Sequence, residues 1–260
     1  MTFLSDLAGR IRQRRDVRRS PPAELPPDAE NLEHNRALWN QYAQIWRKDA
    51  VRSEAASDAV KPPIEVLGDE WGRAADVDRI VAEYITPFVT RDGVAVEIGV
   101  GGGRIARRVA PQVRTLYCLD ISEQMLARAQ AALAGCPNII FALLTEPRLS
   151  GIVRASPDFV YSFDVFVHFD LHMMWTYFQE VARVLQPGGH FFVHTANLTA
   201  PEGWQRFAAQ DHFTVPGHYF VVPQTIATLA AHAGLTLVKE SAVDSGNFYL
   251  ARDYLCVLRK

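Results

Sequence analysis

The spacing of apolar residues along the chain changes once, near residue 93. Upstream they recur at helical intervals. In HNRALWNQYAQIWRK, Leu38, Trp39, Tyr42, Ile45 and Trp46 share one stripe at i, i+3, i+4 and i+7. A loop containing Pro62, Pro63, Gly68 and Gly72 follows, then a predicted helix over 76–84 with Pro87 just beyond it. Downstream, short apolar runs alternate with helical stretches. Strands are predicted at 94–98, 116–119, 138–144, 158–162 and 190–194. Helices are predicted at 104–110, 122–134, 171–185 and 224–233, with Ser122 as an N-cap and Gly135 as a stop. Two late strands, 235–239 and 248–258, flank a Ser-Gly-Asn turn and should pair antiparallel. Such alternation predicts an α/β fold: a doubly wound seven-stranded sheet, mostly parallel with one reversed C-terminal strand, plus an N-terminal helical cap. The chain divides into a flexible basic, Pro-rich tail (1–30), the helical cap (31–90) and the α/β domain (91–260), whose insert at 196–222 is too long for a plain connection.

Composition narrows the functional class. The 260 residues include 27 basic and 29 acidic side chains, for a net charge of −2. A nucleic-acid partner would call for a basic excess, so none is expected. Cys118, Cys136 and Cys256 are odd in number and form no CxxC pair, which suits a reducing, cytoplasmic setting. No apolar run approaches the roughly 20 residues that cross a bilayer. Within residues 1–19, Phe3, Leu4, Leu7 and Ile11 share a helical face beside six arginines, a weak signal for peripheral membrane contact set against a solvated tail. A small-molecule substrate is the expected partner, and a homodimer is compatible with the sequence.

Candidate chemistry centres on VAVEIGVGGGRIA, residues 94–106. Gly99, Gly101 and Gly103 lie on the turn from a strand into a helix, where glycine lets the backbone approach a ligand. A dinucleotide site would show GxGxxG before a pyrophosphate. Here Arg104 stands in the third glycine's slot, and Glu97 precedes the first glycine by two residues. A carboxylate at that place repels a diphosphate and favours a cationic ligand. Asp120 closes the second strand, where an acid can accept both ribose hydroxyls. A nucleoside with a cationic, phosphate-free extension fits, and S-adenosylmethionine is one.

With VEIGVGGGR, LYCLDIS, DFVYSFDVFVHF and VARVLQPGGHFFVHT in this order, the chain resembles the class I S-adenosylmethionine-dependent methyltransferases from Val94 to Lys260. The resemblance implies a Rossmann-like methyltransferase domain with S-adenosylmethionine as cofactor and S-adenosylhomocysteine as product. It implies that Glu97 holds the amino-acid end, that Gly99 and Gly101 give backbone contacts, and that Asp120 binds the ribose with Ile121 and Met125 on the adenine. Leu144, Thr145 and Glu146 compete for the adenine amine, with Thr145 favoured, and Ser162 offers its backbone near the methionine moiety.

The methyl acceptor is expected to be a small-molecule hydroxyl, of a sugar or glycoside, methylated with help from a histidine base. Asp164, His168 and His194 all fall at strand carboxyl ends, and histidine suits base work near neutrality. An amine acceptor, and a non-catalytic cofactor-binding scaffold, are the alternatives. Catechol-type relatives hold magnesium with carboxylates at such places. His194 occupies one of them here, so no metal is expected. The insert carries Trp204, Phe207, Phe213, His218 and Tyr219, and is expected to form a lid over the acceptor with Trp204, His218 and Tyr219 in contact with it. Trp46 and Trp71 are expected beside the cofactor.

Overall fold

The computed structural model describes residues 27–46, 66–152, 156–210 and 217–260. The expectations for the basic tail up to residue 26, and Phe213, lie outside these residues. The strands are β1 (Val94–Ile98), β2 (Thr115–Asp120), β3 (Ile139–Leu143), β4 (Phe159–Ser162), β5 (His190–Asn197), β6 (Phe220–Val221), β7 (Thr236–Glu240) and β8 (Asp253–Arg259). They form one sheet in the order β3-β2-β1-β4-β5-β8-β7, with two-residue β6 as an eighth strand on β5. Only β8 runs against its neighbours, pairing antiparallel with both β5 and β7. The helices are α1 (Pro27–Ile45), α2 (Ala74–Ile80), α3 (Ala106–Val109), α4 (Glu123–Ala132), α5 (Leu171–Val184), α6 (Pro201–Ala209) and α7 (Pro223–His232).

Strand alternation gives the sheet two apolar faces. Val96 and Ile98 join Phe191, Val193 and the inward side of α5 (Met173, Tyr177, Phe178, Val181) in one core. Ala95, Leu116, Phe159, Tyr161 and Phe192 join Leu126, Ala129 and the segment after α2 in the other. Side chains two apart share a face, so Glu97 points into this second core. Two caps set helix starts: Ser122 Oγ accepts from the Met125 N–H, and Asp170 accepts from the Met173 N–H.

Three boundaries differ from the sequence expectation. The helix expected to run to Tyr84 ends as α2 at Ile80 and continues as a π turn, Val81–Ile85. The second late strand begins at Asp253, because Asn247 Oδ1 accepts the N–H groups of Tyr249 and Leu250 and holds that stretch as a turn. β5 runs on to Asn197, since β8 pairs along it as far as Ala196 and β6 pairs beyond the end of β4. His194 is thereby an interior strand residue. Among the described residues no helix is long and apolar enough to cross a membrane.

Candidate active site

At the carboxyl ends of β1, β2 and β4 lies a cleft. The glycine loop forms its floor. Gly101 has φ 53° and open space where a Cβ would stand, so its bare backbone faces the cleft. Gly102 does the opposite: a Cβ there would lie 2.3 Å from the Leu67 carbonyl oxygen, so the cap loop rests directly on it.

Asp120 accepts the Gly101 N–H on one carboxylate oxygen and the Ser122 N–H on the other, each at 2.9 Å. Burial raises its carboxyl to about 6, and those N–H bonds only partly offset it. Ile121, Met125 and Leu144 supply apolar wall beside it. Glu97 also lines the cleft and accepts the Tyr161 hydroxyl at 3.0 Å. Burial pushes its carboxyl well above the usual range, the Tyr161 bond pulls back, and Asp120 pushes it up again. The electrostatic expectation for Glu97 is therefore corrected: burial makes the group resist ionising by itself.

Arg104 folds inward rather than completing a dinucleotide loop. Its guanidinium bonds the Tyr249 hydroxyl at 2.8 Å, pairs with Asp164, and lies within 6 Å of the Trp71, Phe163 and Tyr249 rings. It is the one arginine or lysine among the residues lining the cleft. In the sequence Arg104 stands only as a departure from a motif. Its partners Asp164 and Tyr249 lie 60 and 145 residues away.

The two candidate bases separate. His168 lines the cleft, with its Nδ1 3.1 Å from the Gly217 carbonyl oxygen. A carbonyl can only accept, so Nδ1 carries the hydrogen and Nε2 keeps its lone pair. Burial lowers this imidazole to about 4, partly offset by the Gly217 bond, so the ring is neutral near pH 7. His194 lies behind Phe163, its ring stacked at 4.6 Å, and does not line the cleft. Its Nδ1 accepts the Asp164 N–H at 3.0 Å, and its Nε2 lies 3.0 Å from Asp253. The expectation that His194 is a pocket base is corrected: the ring lies off the cleft, Nδ1 accepts the Asp164 N–H, and Asp164 is held there at a left-handed φ of 58°. Burial would raise Asp164, but Arg104, His194 and Arg252 outweigh it and hold its carboxyl below the ordinary value. Asp164 thus pairs with Arg104 and His194, where an orienting role toward a base was expected.

Other expected contacts fall elsewhere. Trp71 lines the cleft, whereas Trp46 sits against Arg128. Thr145 is exposed and lends only its carbonyl to Arg36, leaving Leu144 at the wall. Ser162 is buried and donates to the Ile98 carbonyl. The described insert residues do not line the cleft: Trp204 is 55% exposed on α6, and Tyr219 accepts from Asn31. His218 reaches the site indirectly, its ring 5.5 Å from that of His168. The cap closes the cleft instead, through Asn35 and Trp39 of α1 with Leu67 and Trp71. Asn35 was not singled out in the sequence, since nothing local marks it. Among the described residues no group of three or more His, Cys, Asp or Glu could hold a metal ion.

Residues 96–193 match the family model described as a methyltransferase domain. A methyltransferase from Methanosarcina mazei is 15% identical with a TM-score of 0.56, over 68% of this chain and 97% of that one. Magnesium protoporphyrin IX methyltransferase from Synechocystis, solved with S-adenosylhomocysteine, is 17% identical with a TM-score of 0.58, over 74% and 84%. Among curated proteins none matches by sequence. Residues 96–193 thus match a methyltransferase domain, the solved structures share its fold, and S-adenosylmethionine is the cofactor these matches support. The cleft fits that cofactor: open backbone at Gly101, an acid for the ribose, apolar wall for the adenine, and Glu97 with Arg104 for a zwitterion.

Proposed function

We propose that this enzyme methylates a hydroxyl oxygen of a small molecule, a sugar or glycoside, with His168 as general base. The carrying observation is the fixed tautomer of His168, which leaves Nε2 its lone pair on a ring that lines the cleft. In this reading Asp120 holds the ribose, Glu97 the ammonium and Arg104 the carboxylate of the cofactor. Bound S-adenosylmethionine supplies a methyl carbon on a cationic sulfur, which the acceptor oxygen attacks while the C–S electron pair returns to sulfur. His168 takes the hydroxyl proton as the oxygen attacks, since an alcohol is a poor nucleophile at neutral pH. A neutral imidazole needs no prior deprotonation. Trp39 and Phe169 bring aromatic faces to the wall, as a sugar ring would use.

The test is turnover of labelled cofactor with glycosides, phenols and amines, for the wild type and His168→Ala. Oxygen methylation is expected, with kcat lowered about 10²- to 10⁴-fold in the variant and affinity for S-adenosylhomocysteine retained. Turnover confined to amines would reject the oxygen acceptor.

A further inference from the structure

Asn35 is 2% exposed, lines the cleft, and has a buried Oδ1 without a hydrogen-bond partner. Its orientation is fixed. Nδ2 donates to the Asn31 carbonyl at 2.9 Å and reaches the His168 carbonyl at 3.4 Å. Both are acceptors only, so the amide cannot flip without setting two oxygens against a third. His168 is locked in the same way by the Gly217 carbonyl. Three main-chain oxygens thus orient two adjacent side chains so that each has an acceptor left to offer. Trp39, one turn along α1 from Asn35, packs edge-on to His168 at 5.1 Å and keeps the two elements together.

A buried acceptor left unpaired is costly, and a ligand donor removes that cost. One hydroxyl has one hydrogen, which the base takes. A second donor is needed for Asn35. We infer that Asn35 determines acceptor specificity, its Oδ1 accepting from a hydroxyl adjacent to the one that gives its proton to His168 Nε2, so that the substrate is a vicinal diol. This rests on the oxygen-methylation reading above. It explains why the cap, rather than the insert, carries recognition: α1 closes over the cleft and brings the second acceptor with it.

The experiment compares kcat/KM for paired probes: phenyl β-glucopyranoside with its 3-deoxy analogue, which keeps no vicinal pair of ring hydroxyls, and catechol with phenol. Wild-type and Asn35→Leu proteins are assayed, with S-adenosylhomocysteine affinity measured by calorimetry. Sites built to bond a hydroxyl reject analogues lacking it strongly, so the wild type should favour a diol over its mono-ol or deoxy partner by about 100-fold or more. In Asn35→Leu that ratio should collapse to within about threefold, through loss on the diol, with cofactor affinity kept. Equal wild-type turnover of diol and partner overturns the inference while leaving oxygen methylation standing, and it decides the matter even if the variant does not fold. A ratio that survives the substitution, or a matching loss of cofactor affinity, also overturns it. Methylation of no hydroxyl at all removes the underlying reading and this inference with it.

Discussion

His168 and His194 each have ring nitrogens committed by neighbours, and the commitments give them different duties. His168 gives one N–H to a carbonyl and keeps a lone pair at the cleft. Because its imidazole sits near 4, kcat at saturating substrates should stay level from about pH 8 to about pH 5.5, where an ordinary histidine would already lose activity. His194 instead bridges the Asp164 N–H and the Asp253 carboxylate. His194→Phe leaves the buried Asp164 N–H without its acceptor, while Asp253 keeps Arg252, and should cost about 1–3 kcal/mol in urea unfolding. His194→Gln, with one acceptor and one donor, should recover part of that stability. Asp120→Asn sets an amide donor against one of two backbone N–H groups, and should weaken S-adenosylhomocysteine binding at least about tenfold by calorimetry. From the sequence both histidines stood at strand ends. Only the non-local pairing of β5 with β8 and β6 puts His194 inside a strand, and no local pattern carries that.

At the scale of elements, the five strands of the parallel core and the glycine turn were legible because their signals are local: apolar runs, a Ser122 cap, glycines before a helix. The docking of α1 was not legible, because it depends on single long side chains meeting distant carbonyls. Arg36 donates to the carbonyls of Ile121, Leu144 and Thr145, and Arg128 reaches back to that of Ala43. Arg36→Ala should lower stability only by about 1 kcal/mol, since water can replace these bonds at loop ends. Its larger effect should fall on cofactor affinity, because Ile121 and Leu144 are also cleft wall. A greater loss in thermal stability than in calorimetric affinity would contradict that account. The insert's apolar α6 shares this lesson: aromatic composition suggested a lid, but packing leaves Trp204 and Phe207 facing outward.

For the whole molecule, stability and ligand binding should share a pH dependence. Asp120 is raised to about 6 and Glu97 is raised well above its usual value, so each binds its proton more tightly when folded. Their contribution is greatest below their unfolded values and is lost as pH rises through the folded ones. His168 has the opposite sign: lowered to about 4, it favours the fold above its unfolded value of 6.5 and loses that contribution as pH falls toward 4. A ligand that needs both acids ionised should therefore stabilise more at higher pH. The rise in melting temperature given by S-adenosylhomocysteine should be larger at about pH 7.5 than at about pH 5.5, as scanning calorimetry would show. The contact between Gly102 and Leu67 has an architectural corollary. The stretch with the recognisable signature, residues 96–193, excludes the other half of that contact. A fragment trimmed to the signature would keep the central strands yet be roofless, with Asn35, Trp39, Leu67 and Trp71 all discarded. Chimeras that graft this roof onto a related sheet should therefore carry substrate preference with the graft, provided the residue beneath Leu67 stays without a side chain.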